Sequence, residues 1–182
     1  MKKIALFGGS FDPPHRGHIA IVKEALRQLD IDEIIVVPAF LNPFKTSSGA
    51  PATLRLEWLR AIFAGEPAVR VSDFEVRQNR PVPTIETVRH FRPEAETIYL
   101  IIGADNLASL KSWYAFEALD AMVEWVVARR DDVAVPGAYR QLEIDAPVSS
   151  TQLREGMEPN DLPEIVADAI RAYYKEINAQ EN

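Results

Sequence analysis

Two histidines lie three positions apart, directly behind a glycine pair and a proline pair. The stretch from Gly8 to His18 follows the apolar run 4–7 and precedes the amphipathic run 19–29. This order predicts a strand, a glycine-rich turn and the start of a helix. Backbone N–H groups at such a helix start favour an anion, and His15 and His18 would share one face there. The stretch therefore predicts a phosphate site.

The histidine pair has two other interpretations. His15 and His18 could cap a turn without binding a ligand, or they could bind a metal ion with Asp12 as the third ligand. The metal interpretation is the weaker one, because the chain has no cysteine and only one further histidine. We expect imidazoles that donate hydrogen bonds to phosphate oxygens, or that pair with them as cations, and no metal bound by the chain itself.

The composition limits the class of protein. The chain has 182 residues, of which 47% are hydrophobic, no cysteine and a net charge of −7. This length suits one buried core, so we expect a single domain over 1–182. The acidic balance argues against nucleic-acid binding, and the apolar runs are too short for a signal peptide or a membrane span. The absence of cysteine suits a reducing, cytoplasmic location.

Alternating β-branched and amphipathic runs predict an α/β protein. Strands are expected at 4–7, 34–37, 69–71, 97–102, 123–128 and near 142–144. Helices are expected at 19–29, at 53–64 with Thr53 as N-cap, from 83 onwards, and at about 163–178, the last packed on the domain. Segment 72–83 is expected to be irregular, and 107–116 has helical spacing. The expected architecture is a single Rossmann-like, doubly wound parallel sheet with helices on both faces.

Three further sites carry residues that could bind a nucleotide. Asp105 follows the strand 97–102, where it predicts either a ribose contact or a helix N-cap. Hydroxyls at 149–151 with Arg154 one turn later predict a second anion cradle, although Gln152 also fits a plain capping box. Arg55, on the helix after the loop 38–52, could face the phosphates or could be a solvated surface cation. Lys45 in that loop is by itself most simply a solvated surface lysine.

These strings together resemble a known family. The stretch from Gly8 to His18 resembles the signature of the nucleotidyltransferase superfamily with the His-x-Gly-His motif, and is closest to the bacterial nicotinate-nucleotide adenylyltransferases. Further motifs occur in family order at 82–87, 101–114 and 148–154, and the resemblance runs to about Lys175. The chain departs from the family pattern at several places. Phe44 stands where the family has a histidine before Lys45, Val82-Pro83-Thr84 replaces Ser-Tyr-Thr, Val148 replaces an isoleucine, and segment 131–146 is shorter than in many relatives.

The resemblance implies roles for individual residues. The implied catalytic residues are His15, His18, Lys45 and Arg154. The implied ATP-binding residues are Gly8, Gly9, Ser10, Phe11, Gly17, Gly103, Asp105, Ser149, Ser150 and Thr151. For the nicotinate nucleotide, Trp113 would stack on the pyridine ring, and backbone N–H groups at Thr84 and Tyr114 would meet its carboxylate.

The residue inventory predicts a reaction without a covalent enzyme intermediate. Cysteine is absent, and neither Ser10 nor Ser150 has a catalytic triad behind it. The acceptor's own phosphate would attack the α-phosphorus of ATP, with Mg²⁺ and the basic residues stabilising the charge as pyrophosphate leaves. The resulting hypothesis is adenylyl transfer from ATP to nicotinate mononucleotide, which gives deamido-NAD in NAD biosynthesis.

Other functions stay open at this point. The acceptor could be nicotinamide mononucleotide, or the chain could be a nucleotide-binding sensor that has lost its chemistry. Pantetheine-phosphate and cytidylyl transfer are less suitable, because neither explains the string from Gly103 to Tyr114. The sequence leaves open the oligomeric state, a homo-oligomer included, the closure of the loop 38–52 and the role of Phe44.

Overall fold

A six-stranded parallel sheet forms the centre of the computed structural model, which describes residues 1–41, 49–129, 133–144 and 162–180. Its strands are β1 (Lys2–Gly9), β2 (Glu33–Pro38), β3 (Val69–Val71), β4 (Ala95–Gly103), β5 (Glu124–Ala128) and β6 (Arg140–Leu142). Their order across the sheet is β3-β2-β1-β4-β5-β6. The order reverses between β1 and β4, and in such sheets ligands bind in the crevice at the carboxyl ends of the strands beside that point.

Helices cover both faces of the sheet. They are α1 (Arg16–Gln28), α2 (Ala52–Phe63), α3 (Phe74–Arg77), α4 (Thr84–Phe91), α5 (Phe116–Asp120) and α6 (Glu164–Gln180). Short 3-10 turns add Arg92–Glu94, Ala104–Asn106 and Leu110–Ser112. Within the described chain, none of the helices is long and apolar enough to cross a bilayer. The expected doubly wound α/β architecture is confirmed.

The alternation of side chains along β1 divides the core into two layers. Ile4 and Leu6 are buried against α4 and α5 on one face of the sheet. Ala5 and Phe7 are buried against α1 and α2 on the other face. Since successive strand residues point to opposite faces, a strand covered on both sides must be apolar throughout, as the run 4–7 is.

Three local expectations were wrong. Pro51, not Thr53, is the N-cap of α2, which begins at Ala52. Segment 72–83 contains the short helix α3. Segment 107–116 has a 3-10 turn and an extended Trp113 instead of a continuous helix, and Ala115 adopts a left-handed backbone with φ of 53° directly before α5. The apolar spacing there reflects burial of Leu110, not helix geometry.

A third apolar cluster joins α6 to α2. Trp58 of α2 packs with Leu162, Val166, Ile170 and Tyr174 in this cluster. Helix α6 matches the expected helix at about 163–178 in position. Tyr174 of α6 bonds Asp12 in the loop between β1 and α1, and Tyr173 bonds the Gly49 carbonyl, so this cluster supports one side of the candidate site.

Candidate active site

Two adjoining cavities open at the carboxyl ends of β1 and β4. They have volumes of about 200 Å³ and about 170 Å³. Gly9, Gly103 and Asn106 line both cavities, so the two spaces meet at the ends of the two strands. We call the first the histidine-side cavity, because His15 and His18 line it, and the second the tryptophan-side cavity, because Trp113 lines it. Their position is the one that the strand order predicts for a ligand.

The two histidines stack on each other at the start of α1. Their ring centroids lie 3.7 Å apart at an interplanar angle of 20°. His15 is the N-cap residue, and its backbone N–H donates a hydrogen bond of 3.1 Å to Nδ1 of His18. His18 thus takes the position that a Glu or Gln occupies in a capping box. Because Nδ1 accepts this bond, a neutral His18 carries its proton on Nε2.

The histidine side chains are supported by an aromatic residue of the same loop. Phe11 is buried, and its ring meets His18 edge-on at a centroid distance of 4.7 Å and Phe7 at 5.3 Å. Its backbone is left-handed, with φ of 50°, a conformation that costs a non-glycine residue free energy and often occurs at functional loops. The peptide bond between Asp12 and Pro13 is cis.

Arg55 has neither of the roles considered from the sequence. It is fully buried at 0% exposure, and it donates hydrogen bonds to three backbone carbonyls. Its Nη1 bonds the Ser10 carbonyl at 2.5 Å, its Nη2 the Phe40 carbonyl at 3.0 Å, and its Nε the Ala50 carbonyl at 2.9 Å. Burial lowers the pKa of Arg55, and the nearby charge of Asp12 opposes that shift. The guanidinium therefore joins the histidine loop to both ends of the loop 38–52.

Asp12 completes this polar cluster. Its carboxylate accepts hydrogen bonds from the backbone N–H groups of Gly49 at 2.6 Å and Ala50 at 3.0 Å, and from the hydroxyl of Tyr174. The metal interpretation that needed Asp12 as a ligand receives no support, because the described residues contain no group of three or more metal-binding side chains. Asp12 instead anchors the histidine loop to α6.

The carboxyl end of β4 adds a carboxylate to the histidine-side cavity. Asp105 lies inside the 3-10 turn whose N-cap is Gly103, so the alternative role of Asp105 as a helix N-cap was wrong. Asp105 and Arg129 both line the cavity. A Cβ atom at position 103 would lie 2.5 Å from Oδ1 of Asp105, so only glycine allows this close approach of the carboxylate to the strand end.

The tryptophan-side cavity contains two of the residues assigned to the pyridine nucleotide. Thr84, the first residue of α4, and Trp113 both line it. Nε1 of Trp113 is buried and has no hydrogen-bond partner within the described part of the chain. Tyr114 follows, is 70% exposed and does not line this cavity, so its backbone contact stays an implication of the resemblance.

A buried carboxyl in the tryptophan-side cavity was missed by sequence reasoning. Glu75 of α3 lines this cavity, is 8% exposed, and accepts a hydrogen bond of 2.5 Å from the hydroxyl of Thr87. Burial raises the pKa of Glu75 to about 7, and the charge of Glu86 acts in the same direction, whereas the hydrogen bond from Thr87 lowers it. The sequence carried no signal for this pair, since the two residues lie twelve positions apart in different elements.

Several predicted residues lie outside the described ranges. They are Lys45 with its neighbour Phe44, then Ser149, Ser150, Thr151 and Arg154. Among the described candidates, the structure brings His15, Gly17, His18 and Asp105 to one cavity. It brings Gly8, Thr84 and Trp113 to the other. Ser10 and Phe11 lie in the loop between β1 and α1 and line neither cavity.

A family model described as cytidylyltransferase-like matches residues 6–156. The fold is shared with the Plasmodium falciparum nicotinic acid mononucleotide adenylyltransferase complexed with NaAD, at a TM-score of 0.77 and 21% identity, covering 96% of this chain and 98% of that one.

Two relatives are similar over nearly their whole length. The probable nicotinate-nucleotide adenylyltransferase of Sulfurimonas denitrificans is 52% identical over 176 residues, covering 97% of both chains. That of Nitratiruptor sp. is 50% identical over 175 residues, covering 95% of this chain and 99% of the relative. Fold and site thus define an enzyme of the cytidylyltransferase-like nucleotidyltransferase class. Within that class, the chain belongs to the nicotinate-nucleotide adenylyltransferase family, as the resemblance implied.

Proposed function

We propose that this protein transfers the adenylyl group of ATP to nicotinate mononucleotide, releasing pyrophosphate and forming nicotinate adenine dinucleotide. The observation that carries the proposal is the pair of adjoining cavities, one lined by the histidine pair and the other by Thr84 and Trp113. Two substrates placed in these cavities would meet at Gly9 and Gly103. The two relatives that are 52% and 50% identical to this chain are named for this activity.

The reaction joins the two substrates directly. An oxygen of the mononucleotide's phosphate forms a bond to the α-phosphorus of ATP, and the bond from that phosphorus to the bridging oxygen of the β-phosphate breaks. The chain needs no nucleophile of its own for this step, so its work is to align the groups and stabilise the charge that develops. The Nε2 proton of His18 suits a hydrogen bond to a phosphate oxygen, and His15 stacked beside it holds the ring in place.

The remaining roles are proposed from the resemblance. Lys45 and Arg154 would contact the triphosphate, as would the hydroxyl residues 149–151, and Asp105 would bond the ribose of ATP. ATP enters as its Mg²⁺ complex, in which the ion is held mainly by phosphate oxygens and water and lowers their negative charge. Gly8, Gly9 and Gly17 would let the backbone approach the nucleotide.

Three expectations of wider scope also stay proposals. They are that residues 1–182 form a single domain, that the protein is cytoplasmic, and that it binds neither nucleic acid nor membranes. A net charge of −7 supports the exclusion of nucleic acid. The oligomeric state, a homo-oligomer included, is open.

Pyrophosphate release tests the proposed function. The protein is supplied with Mg²⁺ and ATP, and with either nicotinate mononucleotide or nicotinamide mononucleotide as acceptor. We expect fast release with the acid and much slower release with the amide, because N–H donors at Thr84 and Tyr114 suit a carboxylate. A preference for the amide would support the alternative acceptor, and tight ATP binding without release from either acceptor would support the sensor.

A further inference from the structure

The wall of the tryptophan-side cavity includes a carboxyl group that the proposed reaction does not use. Glu75 is almost fully buried, yet it lines this cavity together with Thr84 and Trp113. A buried carboxyl is costly when it is ionised and not paired with a cation. Among the described residues no cation pairs with Glu75, and its one hydrogen bond comes from the neutral hydroxyl of Thr87.

The hydrogen bond to Thr87 fixes where this carboxyl lies. Thr84 and Thr87 are three residues apart on α4 and therefore share one face of the helix. The rise between them is about 4.5 Å along the helix axis. The Glu75 carboxyl is thus held about one helical turn from the residue that the proposed function assigns to the substrate carboxylate.

Among the described residues, Glu75 is the one ionisable side chain in the lining of this cavity, and the charged groups around it lie outside that lining. Glu86 of α4 is paired with Arg80 at 2.5 Å, and Asp73, which precedes α3, is paired with Arg60 of α2 at 3.7 Å. Arg77 lies on the helix of Glu75 itself. His90 of α4 stacks on Phe74 at 4.0 Å and is exposed.

We propose that Glu75 determines specificity in the tryptophan-side cavity, where its neutral form accepts a pyridine nucleotide with a carboxylate and its ionised form favours the uncharged carboxamide. The inference rests on the proposed function and adds a dependence of acceptor choice on pH. An ionised Glu75 repels a substrate carboxylate and can accept a hydrogen bond from a carboxamide. A neutral Glu75 carries no charge and can donate a hydrogen bond to the carboxylate.

The test is the ratio of kcat/KM for nicotinate mononucleotide to kcat/KM for nicotinamide mononucleotide as a function of pH. The two acceptors carry the same phosphate and use the same Mg²⁺-ATP, so those titrations cancel in the ratio. Because kcat/KM reports the ionisation of the free enzyme, the midpoint should lie near the pKa of about 7 that burial gives Glu75. We expect the ratio to fall about tenfold across this midpoint, the size expected for two like charges partly screened by solvent.

Three variants separate this role from a structural one. Glu75→Gln should make the ratio of kcat/KM values independent of pH. Glu57→Gln, the same change on the exposed side of α2, should leave the pH dependence of this ratio as it is in the wild type. Thr87→Val removes the donor that stabilises the ionised carboxylate, so the midpoint should move to higher pH. Thr87→Ser keeps the donor and should restore the wild-type midpoint.

The outcomes are distinct from those of the function test. Turnover of neither acceptor at any pH would overturn the proposed function itself. Turnover with a flat ratio in the wild type, or with an equal slope in Glu75→Gln, would overturn the role of Glu75 and leave the reaction standing. Because the wild-type curve needs no substitution, the proposal is tested even where a variant fails to fold.

Discussion

At the scale of single residues, the two ring nitrogens of His18 have different roles. Nδ1 accepts the backbone N–H of His15 and so closes the first turn of α1. That bond directs the proton of the neutral ring to Nε2, the nitrogen proposed to meet a phosphate oxygen. The capping interpretation and the phosphate interpretation of the sequence are therefore compatible, each using its own side of the ring.

Replacing His18 should affect the reaction far more than the fold. We expect His18→Ala to lower kcat for pyrophosphate release by about 10²–10³, the loss typical of removing a donor to a developing charge. His90→Ala serves as the matched control, because His90 is exposed on α4 and should leave kcat unchanged. A near-normal kcat for His18→Ala with an intact circular-dichroism spectrum would remove His18 from the mechanism.

Glu75 should make the free energy of unfolding depend on pH. Burial raises its folded pKa to about 7 from its ordinary value of 4.5, so as pH rises the folded state keeps this proton to a higher pH than the unfolded state does. The stabilising contribution is complete below about pH 4.5 and is lost as pH rises through about 7. As pH rises over that range, the free energy of unfolding of Glu75→Gln, measured in urea, should rise by about 3 kcal/mol relative to that of the wild type. A gain that does not change with pH would contradict this assignment.

Residue roles differed in how far the sequence could predict them. The spacing of His15 and His18 sufficed to predict a shared face at a helix start. Arg55 was misjudged, although it lies four positions before Leu59 on the buried face of α2, a spacing that could have indicated burial. Glu75 could not be predicted, because its environment depends on how α3 and α4 pack.

At the scale of elements, the histidine loop is held by neighbours on two sides. Arg55 of α2 bonds the carbonyl of Ser10, and Tyr174 of α6 bonds the carboxylate of Asp12. The hydroxyl of Tyr173 also bonds the Gly49 carbonyl at 3.0 Å. Helices α2 and α6 therefore set the position of a loop that belongs to neither of them.

The three bonds of Arg55 should make it irreplaceable by another cation. Arg55→Lys puts one ammonium where three guanidinium nitrogens act, and it leaves buried carbonyls without donors. We expect a loss of about 3 kcal/mol in the free energy of unfolding, from roughly two lost hydrogen bonds. Arg60→Lys, on the exposed side of the same helix, is the control and should cost about 0–1 kcal/mol. Equal losses for both variants would show that the three bonds add nothing.

Strands were predicted better than the segments between them. Continuous apolar runs such as 34–37 and 97–102 lie in β2 and β4, because strands buried on both faces have little choice of residue. The segment 107–116 misled the helix prediction, since Leu110 and Trp113 pack inwards from a 3-10 turn and an extended residue. Helical spacing alone does not separate these cases.

At the scale of the whole molecule, the three tryptophans lie in two separate parts of the core. Trp58 belongs to the cluster between α2 and α6. Trp113 and Trp125 lie 6.2 Å apart, between ring centroids, on the α4 and α5 face of the sheet. The sheet and both layers would have to unfold together if residues 1–182 form one domain.

Tryptophan fluorescence can test the single-domain expectation. The variant Trp58→Phe reports only the sheet side, and the double variant Trp113→Phe with Trp125→Phe reports only the α2–α6 cluster. We expect both variants to unfold in a single step in urea with the same slope, as in two-state unfolding. Different slopes, or a second step in either curve, would show that α6 unfolds separately.

The global arrangement was the most predictable level. Repeated strand–helix–strand order implies parallel, right-handed crossovers, and these restrict the sheet to few topologies. The site location followed from that topology. The support from α6 did not, because contacts between residues far apart in the sequence leave no periodic pattern in it.

The hydrogen bond from Tyr174 to Asp12 joins residues 162 positions apart. Synthesis proceeds from the amino end, so the ribosome makes Asp12 first and Tyr174 roughly 10–30 s later, at usual elongation rates. During that interval the nascent histidine loop lacks one of its anchors. The growing polypeptide thus completes this loop only after Tyr174 has been made, and chains released before that point would lack the contact from α6.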